Sequence, residues 1–286
     1  MTNSPESIFD DWHPVSAAED VAPGQQLETR LLGRDVIFGK TADGVLSAHR
    51  KDNDESLCAM SCMQKYGAIW LSFSEQPKPI FDIPEFAEPD RRVVSAGATR
   101  IHVSGLRAIE NFLDMAHFPF VHTDILGAEP LTEVEPYKVE LDSLRNEVVA
   151  TECRFAQPKA SATAVEPIET KYIYRVTRPF VAILYKTCPP DPSRWDVLCL
   201  FVQPTEEEWC IAHTLMCYID DVNSDEQLRR FQQTIFGQDL MILLNQVPKR
   251  LPLAAHRENP VKADVLATTY RRWLRESDLQ FGATRD

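Results

Sequence analysis

The chain has 286 residues, of which 44% are hydrophobic and 26% are charged, an ordinary composition for a globular protein with a substantial core. Its net charge of -13 argues against nucleic acid and anionic membrane surfaces as partners, because both require a basic surface. The amino terminus lacks the features of a signal peptide, no apolar run could span a bilayer, and the seven cysteines follow no disulfide framework, so we expect a cytoplasmic protein.

Short β-rich segments dominate the first part of the chain. The runs at residues 27–38, 44–48 and 68–73 are punctuated by glycine and predict an amino-terminal lobe of strands. A proline-rich stretch at residues 76–89 follows, and it is typical of a linker or of a chain that crosses a sheet edge.

Beyond the prolines, the sequence predicts a strand at residues 93–103, a helix at 106–118, several strands between 134 and 218, a long helix at 225–246 and a short helix at 264–275. The strands follow one another instead of alternating with helices. We therefore expect an α+β fold with an antiparallel sheet.

The first predicted helix carries two candidate metal ligands near its end. His117 lies at the margin of the apolar stripe, with Asp114 one turn before it. We expect the helix to end at Phe118, because Pro119 disfavours helical geometry in the preceding residue. On a straight helix His117 and His122 would point about 140° apart, whereas a break at the proline lets both rings meet. Either histidine alone would more often be structural.

The long predicted helix offers a carboxylate. Asp239 falls in the middle of its apolar stripe, and a carboxylate in a core needs a cation or a metal. An exposed aspartate on a wrongly assigned helix is the alternative. Two histidines and one carboxylate form the ligand set of a facial-triad iron(II) site, which leaves positions open for oxygen. Gln246, two turns beyond Asp239, is either a substrate-binding residue or merely a polar residue near the helix end.

Several segments resemble the α-subunits of Rieske non-haem iron oxygenases. Their N-x-x-D-x-x-H-x-x-x-x-H motif is matched here by Asn111, Asp114, His117 and His122. Residues 236–239 resemble the segment that supplies the third iron ligand in that family. Residues 10–15 resemble its usual opening, and residues 66–70 resemble its Y-G-x-I-W strand.

This resemblance implies a helix-grip catalytic domain at residues 91–286, in which an antiparallel sheet curls around a long carboxy-terminal helix. It implies that His117, His122 and Asp239 hold one mononuclear Fe(2+) ion. Asp114 is implied to connect an incoming Rieske cluster to His117 and to orient its imidazole. The alternative for Asp114 is an ordinary exposed carboxylate on a helix.

One departure from the family concerns its [2Fe–2S] cluster, which is held by C-x-H and C-x-x-H pairs. Here Ala48-His49-Arg50 stands where the first pair would begin, and Cys58 and Cys62 fit neither pair. We therefore expect residues 1–90 to form a truncated, Rieske-like lobe that holds no [2Fe–2S] cluster.

Within the family, residues 107–111, 123–130 and 270–274 resemble the Rieske-lacking catalytic subunits of bacterial methylxanthine N-demethylases. That resemblance implies an NADH-dependent monooxygenase that converts 7-methylxanthine to xanthine and formaldehyde. The implied partners are a Rieske-containing NADH reductase and a glutathione-S-transferase-like structural subunit. Two alternatives stay open: the same iron chemistry on another N-methyl or O-methyl aromatic substrate, or a catalytically silent scaffold subunit.

Overall fold

The protein's computed structural model describes residues 5–52, 54–159, 168–254 and 257–285. The first four residues, which begin the segment without signal-peptide features, lie outside the described residues. The described chain has mixed α and β structure with antiparallel sheets, which confirms that part of the predicted fold. No described helix is both long enough and apolar enough to cross a membrane.

Seven short strands form the amino-terminal part: β1 (His13–Ala17), β2 (Gln26–Leu31), β3 (Arg34–Lys40), β4 (Leu46–Lys51), β5 (Leu57–Ala59), β6 (Ser61–Lys65) and β7 (Ala68–Ser72). They pair in two antiparallel sheets, in the orders β1-β7-β6 and β2-β3-β4-β5. The β-rich run predicted at residues 27–38 is a hairpin, because Leu32 and Gly33 both adopt positive φ values and reverse the chain.

The larger part contains, in chain order, β8 (Arg92–Ile101), α1 (Gly105–Leu113), α2 (Phe118–Val121), β9 (Lys138–Asp142), β10 (Glu147–Gln157), β11 (Ile168–Arg178), β12 (Val181–Thr187), β13 (Trp195–Glu206), β14 (Trp209–Tyr218), α3 (Asp225–Leu243), β15 (Leu251–Pro252), α4 (Val265–Glu276) and β16 (Ala283–Thr284). One antiparallel sheet holds seven of these strands, in the order β8-β14-β13-β12-β11-β10-β9. The short strands β15 and β16 pair separately.

The seven-stranded sheet is covered on both faces. Because side chains alternate along a strand, Ile183 points to one face and Leu184 to the other. The first face packs against the amino-terminal part, where the ring centroids of Trp70 and Phe201 are 4.8 Å apart. The second face lies under α1 and α3. The central strand β13 is therefore buried along almost its whole length and shows no alternation in its sequence.

Two helix ends differ from the predictions. The first helix, α1, ends at Leu113 rather than at Phe118, and Asp114 follows it in an extended conformation. Pro119 lies in the first turn of α2, where proline is tolerated because its nitrogen needs no intrahelical partner. The expected break is present, but Pro119 helps to start the second helix rather than to end the first. The long helix α3 ends at Leu243.

Candidate metal centre

Two helices bring His117, His122 and Asp239 together. His117 immediately precedes α2 and His122 immediately follows it, so one short helical turn separates the two imidazoles. Asp239 lies on α3, which begins with a capping box formed by Ser224 and Gln227. The buried face of α3 repeats at helical spacing through Leu228, Gln232, Ile235, Asp239 and Leu243.

The three side chains converge on one point. The two Nε2 atoms are 3.2 Å apart, and Asp239 Oδ1 lies 3.3 Å from His117 Nε2 and 3.2 Å from His122 Nε2. His122 is only 1% exposed, which shields the site from water. Among the described residues, these three are the one group of histidine, cysteine or acidic side chains close enough to hold a metal ion. The structure thus brings all three predicted ligands together.

Hydrogen bonds on the far side of each imidazole fix which nitrogen carries the proton. His117 Nδ1 lies 3.1 Å from Asp114 Oδ2, and His122 Nδ1 lies 2.8 Å from Gln238 Oε1. Because both oxygens accept, each Nδ1 is assigned as the donor, and each Nε2 turns a lone pair towards Asp239. Three acceptors this close together repel one another unless a cation lies between them. The donor set therefore fits a divalent metal ion, and two imidazoles with one carboxylate suit iron(II).

The electrostatics of these side chains favour positive charge at the same point. Burial lowers the pKa of the His117 imidazole, but the nearby carboxylates of Asp114 and Asp239 outweigh it and raise that pKa to about 9. Burial raises the pKa of the Asp239 carboxyl, but interactions with His117 and His122 bring it down to about 2. Asn111 Nδ2 donates to Asp239 Oδ1 at 2.9 Å and holds this carboxylate in place.

Asp114 connects the centre to the surface. Its Oδ1 accepts the backbone N–H of Ala116 at 2.8 Å, its Oδ2 faces His117, and its side chain is 32% exposed. The side chain lines a surface depression together with Glu110, Ile242, Gln246, Glu258 and Arg271. We call this region the outer side of the metal centre.

A partly buried ion-pair network supports the outer side. The side chain of Arg107 is 2% exposed and bonds to Glu110 at 3.1 Å and to Glu258 at 2.6 Å. Arg271 on α4 bonds to the same two carboxylates. Two arginines and two glutamates thus balance each other in charge and tie α1 to α4, which keeps both helices in place beside Asp114.

A cavity with about 690 Å³ of empty space lies on the other side of the His117 ring, between α3 and the seven-stranded sheet. We call this region the cavity side. Much of its lining is apolar: Phe112, Phe118, Leu126, Leu184, Leu198, Leu200, Phe231, Ile235 and Phe236. Besides the metal ligands, eight polar or hydroxylated side chains interrupt it: Asn111, Gln157, Tyr172, Tyr174, Lys186, Thr214, Tyr218 and Gln232. Its lining, apolar side chains with a few polar groups among them, is typical of a site for a small organic ligand.

Gln246 does not reach the cavity in the structure. The two-turn spacing placed Gln246 on the same helical face as Asp239, but α3 already ends at Leu243. Gln246 therefore lies beyond the helix, in the depression on the outer side. Gln232, which the sequence analysis did not single out, lines the cavity instead and is 7% exposed. The same spacing could have found it, since Gln232 lies seven residues before Asp239, two turns earlier on the buried face.

Comparisons with known proteins agree with this geometry. Residues 101–277 match the family model described as the vanillate O-demethylase oxygenase C-terminal domain. The chain is 58% identical to a probable methylxanthine N7-demethylase, NdmC, of Pseudomonas sp. (strain TJI-51), over 97% of each protein. It is 25% identical to the methylxanthine N3-demethylase NdmB of Pseudomonas putida, over 78% of this chain and 61% of that protein.

Solved structures share the fold across almost the whole chain. NdmA of Pseudomonas putida CBB5 with caffeine has a TM-score of 0.77 at 18% identity, over 94% of this chain and 91% of that one. Dicamba monooxygenase bound to 3,6-dichlorosalicylic acid has a TM-score of 0.77 at 13% identity, over 95% of this chain and 97% of that one. At these identities the likeness concerns the fold alone.

Proposed function

The chain belongs to the Rieske-type oxygenase family represented by the vanillate O-demethylase oxygenase C-terminal domain, and we propose that it is the catalytic component of a methylxanthine N-demethylase. The proposed substrate is 7-methylxanthine, and the products are xanthine and formaldehyde. One observation carries the proposal: His117, His122 and Asp239 converge beside an apolar cavity, in a chain that is 58% identical to a probable N7-demethylase.

In this proposal His117, His122 and Asp239 hold Fe(2+). Bound there, the iron supplies the activation of O2, so that one oxygen atom enters a methyl C–H bond and the other leaves as water, with two electrons from NADH. The resulting N-hydroxymethyl group loses formaldehyde by breaking its C–N bond, which leaves N–H on the ring. Asp114 and Gln238 hold both imidazoles in the tautomer that presents Nε2.

The cavity side positions the substrate. Phe112, Phe118 and Phe236 exclude water and offer ring surfaces to a flat heteroaromatic molecule. The amide of Gln232 both donates and accepts, so it suits a ring carbonyl or a ring nitrogen. Such a pairing selects which methyl group faces the metal ligands, because turning the ring over would leave buried polar groups unpaired.

Electrons come from a partner in this proposal, because we assign no [2Fe–2S] cluster to this chain. Ala48 stands where the first cysteine of a cluster site is expected. His13 has a structural role instead, since its Nε2 lies 2.8 Å from the carbonyl oxygen of Ile8 and burial lowers its pKa. Asp114, partly exposed and hydrogen-bonded to His117, is the point at which a partner's Rieske cluster would deliver electrons.

We also propose the domain division and the partners. Residues 1–90 form a truncated Rieske-like lobe, and residues 91–286 form a helix-grip domain in which the seven-stranded sheet holds α3. The electron donor is a Rieske-containing NADH reductase, which the likeness to Ndm oxygenases supports. A glutathione-S-transferase-like structural subunit is the second proposed partner.

Reconstitution tests the proposal. The iron-loaded chain, mixed with a Rieske-containing reductase, NADH and O2, is expected to release formaldehyde and xanthine in equal amounts from 7-methylxanthine. Formaldehyde from an aryl methyl ether, but from no methylxanthine, would favour the alternative substrate class. A chain that binds no iron and only raises the activity of another subunit would be a scaffold, contrary to the proposal.

A further inference from the structure

A lysine lies in the wall of the cavity, away from the metal ligands. Lys186, near the end of β12, lines the cavity and also a second cavity with about 640 Å³ of empty space. The two cavities share the residues Lys186, Tyr218, Phe231 and Gln232. The three metal ligands line the first cavity and not the second. Lys186 therefore lies at the end of the first cavity that is farther from the metal ligands.

The register of the sheet explains why Lys186 faces the cavity. It lies directly opposite Tyr172 on β11 and Asp196 on β13. The neighbouring positions that line the cavity from these strands are aromatic or aliphatic: Tyr174, Leu184, Leu198 and Leu200. A cation on such a face costs free energy unless other groups compensate its charge.

Tyr218, Asp196 and Asp220 all act on the charge of Lys186. Lys186 Nζ lies 4.7 Å from the centroid of the Tyr218 ring, and Asp196 is a buried carboxylate on the adjacent strand. Burial lowers the pKa of the Lys186 ammonium although Asp196 opposes that change. Burial likewise raises the pKa of the Asp196 carboxyl although Lys186 opposes it. Both shifts favour the neutral amine and the neutral carboxylic acid. An electron-rich oxygen placed next to Lys186 would therefore stabilise the charged ammonium form of the lysine.

We propose that Lys186 is a specificity-determining residue whose ammonium group donates a hydrogen bond to a carbonyl oxygen of the substrate. The inference rests on the proposed function and deepens it, because it names the chemical feature that the far end of the cavity recognises. A methylxanthine carries carbonyl oxygens on a flat ring, which suits a single lysine in a wall that is otherwise built of uncharged side chains away from the metal ligands. Hydrogen bonds from a charged donor are roughly twice as strong as neutral ones, so this contact discriminates against rings without such an oxygen.

Equilibrium binding without turnover tests the role of Lys186. The probes are 7-methylxanthine and 7-methylpurine, which has the same ring system but no carbonyl oxygens. Calorimetry on the iron-loaded chain, without reductant or O2, should show that Lys186→Met weakens binding of 7-methylxanthine about 10- to 100-fold. Binding of 7-methylpurine should not change. Lys186→Arg keeps the charge and should retain most of the affinity for 7-methylxanthine.

A double variant controls for folding. Lys186→Met combined with Asp196→Asn removes both charges, so no unpaired carboxylate stays buried, and its melting temperature reports whether the chain folds. It should bind 7-methylxanthine as weakly as the single variant. Equal weakening of both probes, or undiminished binding of 7-methylxanthine, would overturn the role of Lys186.

Two further probes, 4-methoxybenzoate and anisole, distinguish this inference from the proposed function. If the wild-type protein binds 4-methoxybenzoate and no methylxanthine, the proposed substrate is wrong. Lys186→Met must then weaken binding of that carboxylate, and not of anisole, for the assignment to stand. If the unchanged chain binds none of the four probes, both proposals fail.

Discussion

The two sides of the metal centre share His117 and differ in almost every other respect. On the cavity side, phenylalanine, leucine and tyrosine side chains make up most of the wall, and Lys186 is its one basic side chain apart from the two histidines. On the outer side, Asp114 is partly exposed, and arginine–glutamate pairs line a polar depression beside it. The imidazole joins the two environments, because its Nε2 faces Asp239 and its Nδ1 faces Asp114.

This difference separates two tasks. An apolar cavity holds a flat ring without water and strengthens the few polar contacts within it. In the proposed function, a partly exposed carboxylate that is hydrogen-bonded to His117 would give electrons a route to the centre without opening that cavity. Substitutions on the cavity side should therefore change substrate binding, and substitutions on the outer side should change NADH-driven turnover at unchanged substrate binding.

Removal of a ligand should have the largest effect, because it disables both sides at once. Asp239→Ala removes the one carboxylate among the three ligands. Iron content measured by mass spectrometry should fall from about one ion per chain to near zero, and formaldehyde release should fall below detection. Glu226→Ala, which removes an exposed carboxylate of the same helix, is the control and should change neither. Retained iron in Asp239→Ala would show that this carboxylate is not a ligand.

Asp114→Asn should have the next largest effect, and on one side only. It preserves the shape of the side chain but removes the charge that orients His117. We expect unchanged iron content and unchanged affinity for 7-methylxanthine, with NADH-driven turnover reduced about 10- to 100-fold. Hydrogen peroxide supplies oxygen and electrons together, so a peroxide assay should recover part of the activity.

The control for this variant is Asp124→Asn. It alters an exposed carboxylate at a residue with positive φ, a conformation that asparagine also tolerates. Turnover should stay at the level of the unchanged chain. If Asp114→Asn loses its iron, Asp114 is a ligand or a structural residue. If it keeps full NADH-driven turnover, electrons arrive by another route and the two sides are not divided as described.

Gln232→Leu tests the cavity side with a smaller effect. It removes a neutral hydrogen-bonding group from the buried face of α3, so KM for 7-methylxanthine should rise about 3- to 10-fold with iron content unchanged. Steady-state kinetics with saturating reductase measure this. Gln233→Leu is the matched control, because the Gln233 side chain donates to the carbonyl oxygen of Ala96 and lies outside the cavity lining. An equal rise in both variants would indicate a change in α3 rather than a lost contact.

The candidate ligands could be predicted from the sequence because their arrangement is largely local. His117 and His122 are five residues apart, and Asp239 lies on a helix stripe that the sequence displays. The residue at which the first helix ends was harder to predict, since a proline can either end the helix before it or lie in the first turn of the next one. The sequence therefore predicted that the chain turns near Pro119, but not that α1 ends at Leu113.

The wall of the cavity could not be predicted, because its residues come from separate strands. Lys186, Leu198 and Thr214 meet only through the register of β12, β13 and β14. The alternation of side chains along a strand shows which residues share a face, but it does not show which face of the sheet lies under α3. In β13 even that signal is missing, since both faces of the strand are buried.

Gln246→Ala should have the smallest effect, and it tests where the division between the two sides runs. Gln246 follows the end of α3 and lies in the depression on the outer side, with Asp114 and away from the cavity. KM for 7-methylxanthine, iron content and turnover at saturating reductase should all stay unchanged. Kinetics over a range of both substrate and reductase concentrations measure each response separately. A raised KM for 7-methylxanthine would indicate that Gln246 contacts the substrate on the cavity side, as its two-turn spacing from Asp239 predicted. A loss of turnover that more reductase restores would instead place Gln246 where the electron donor binds.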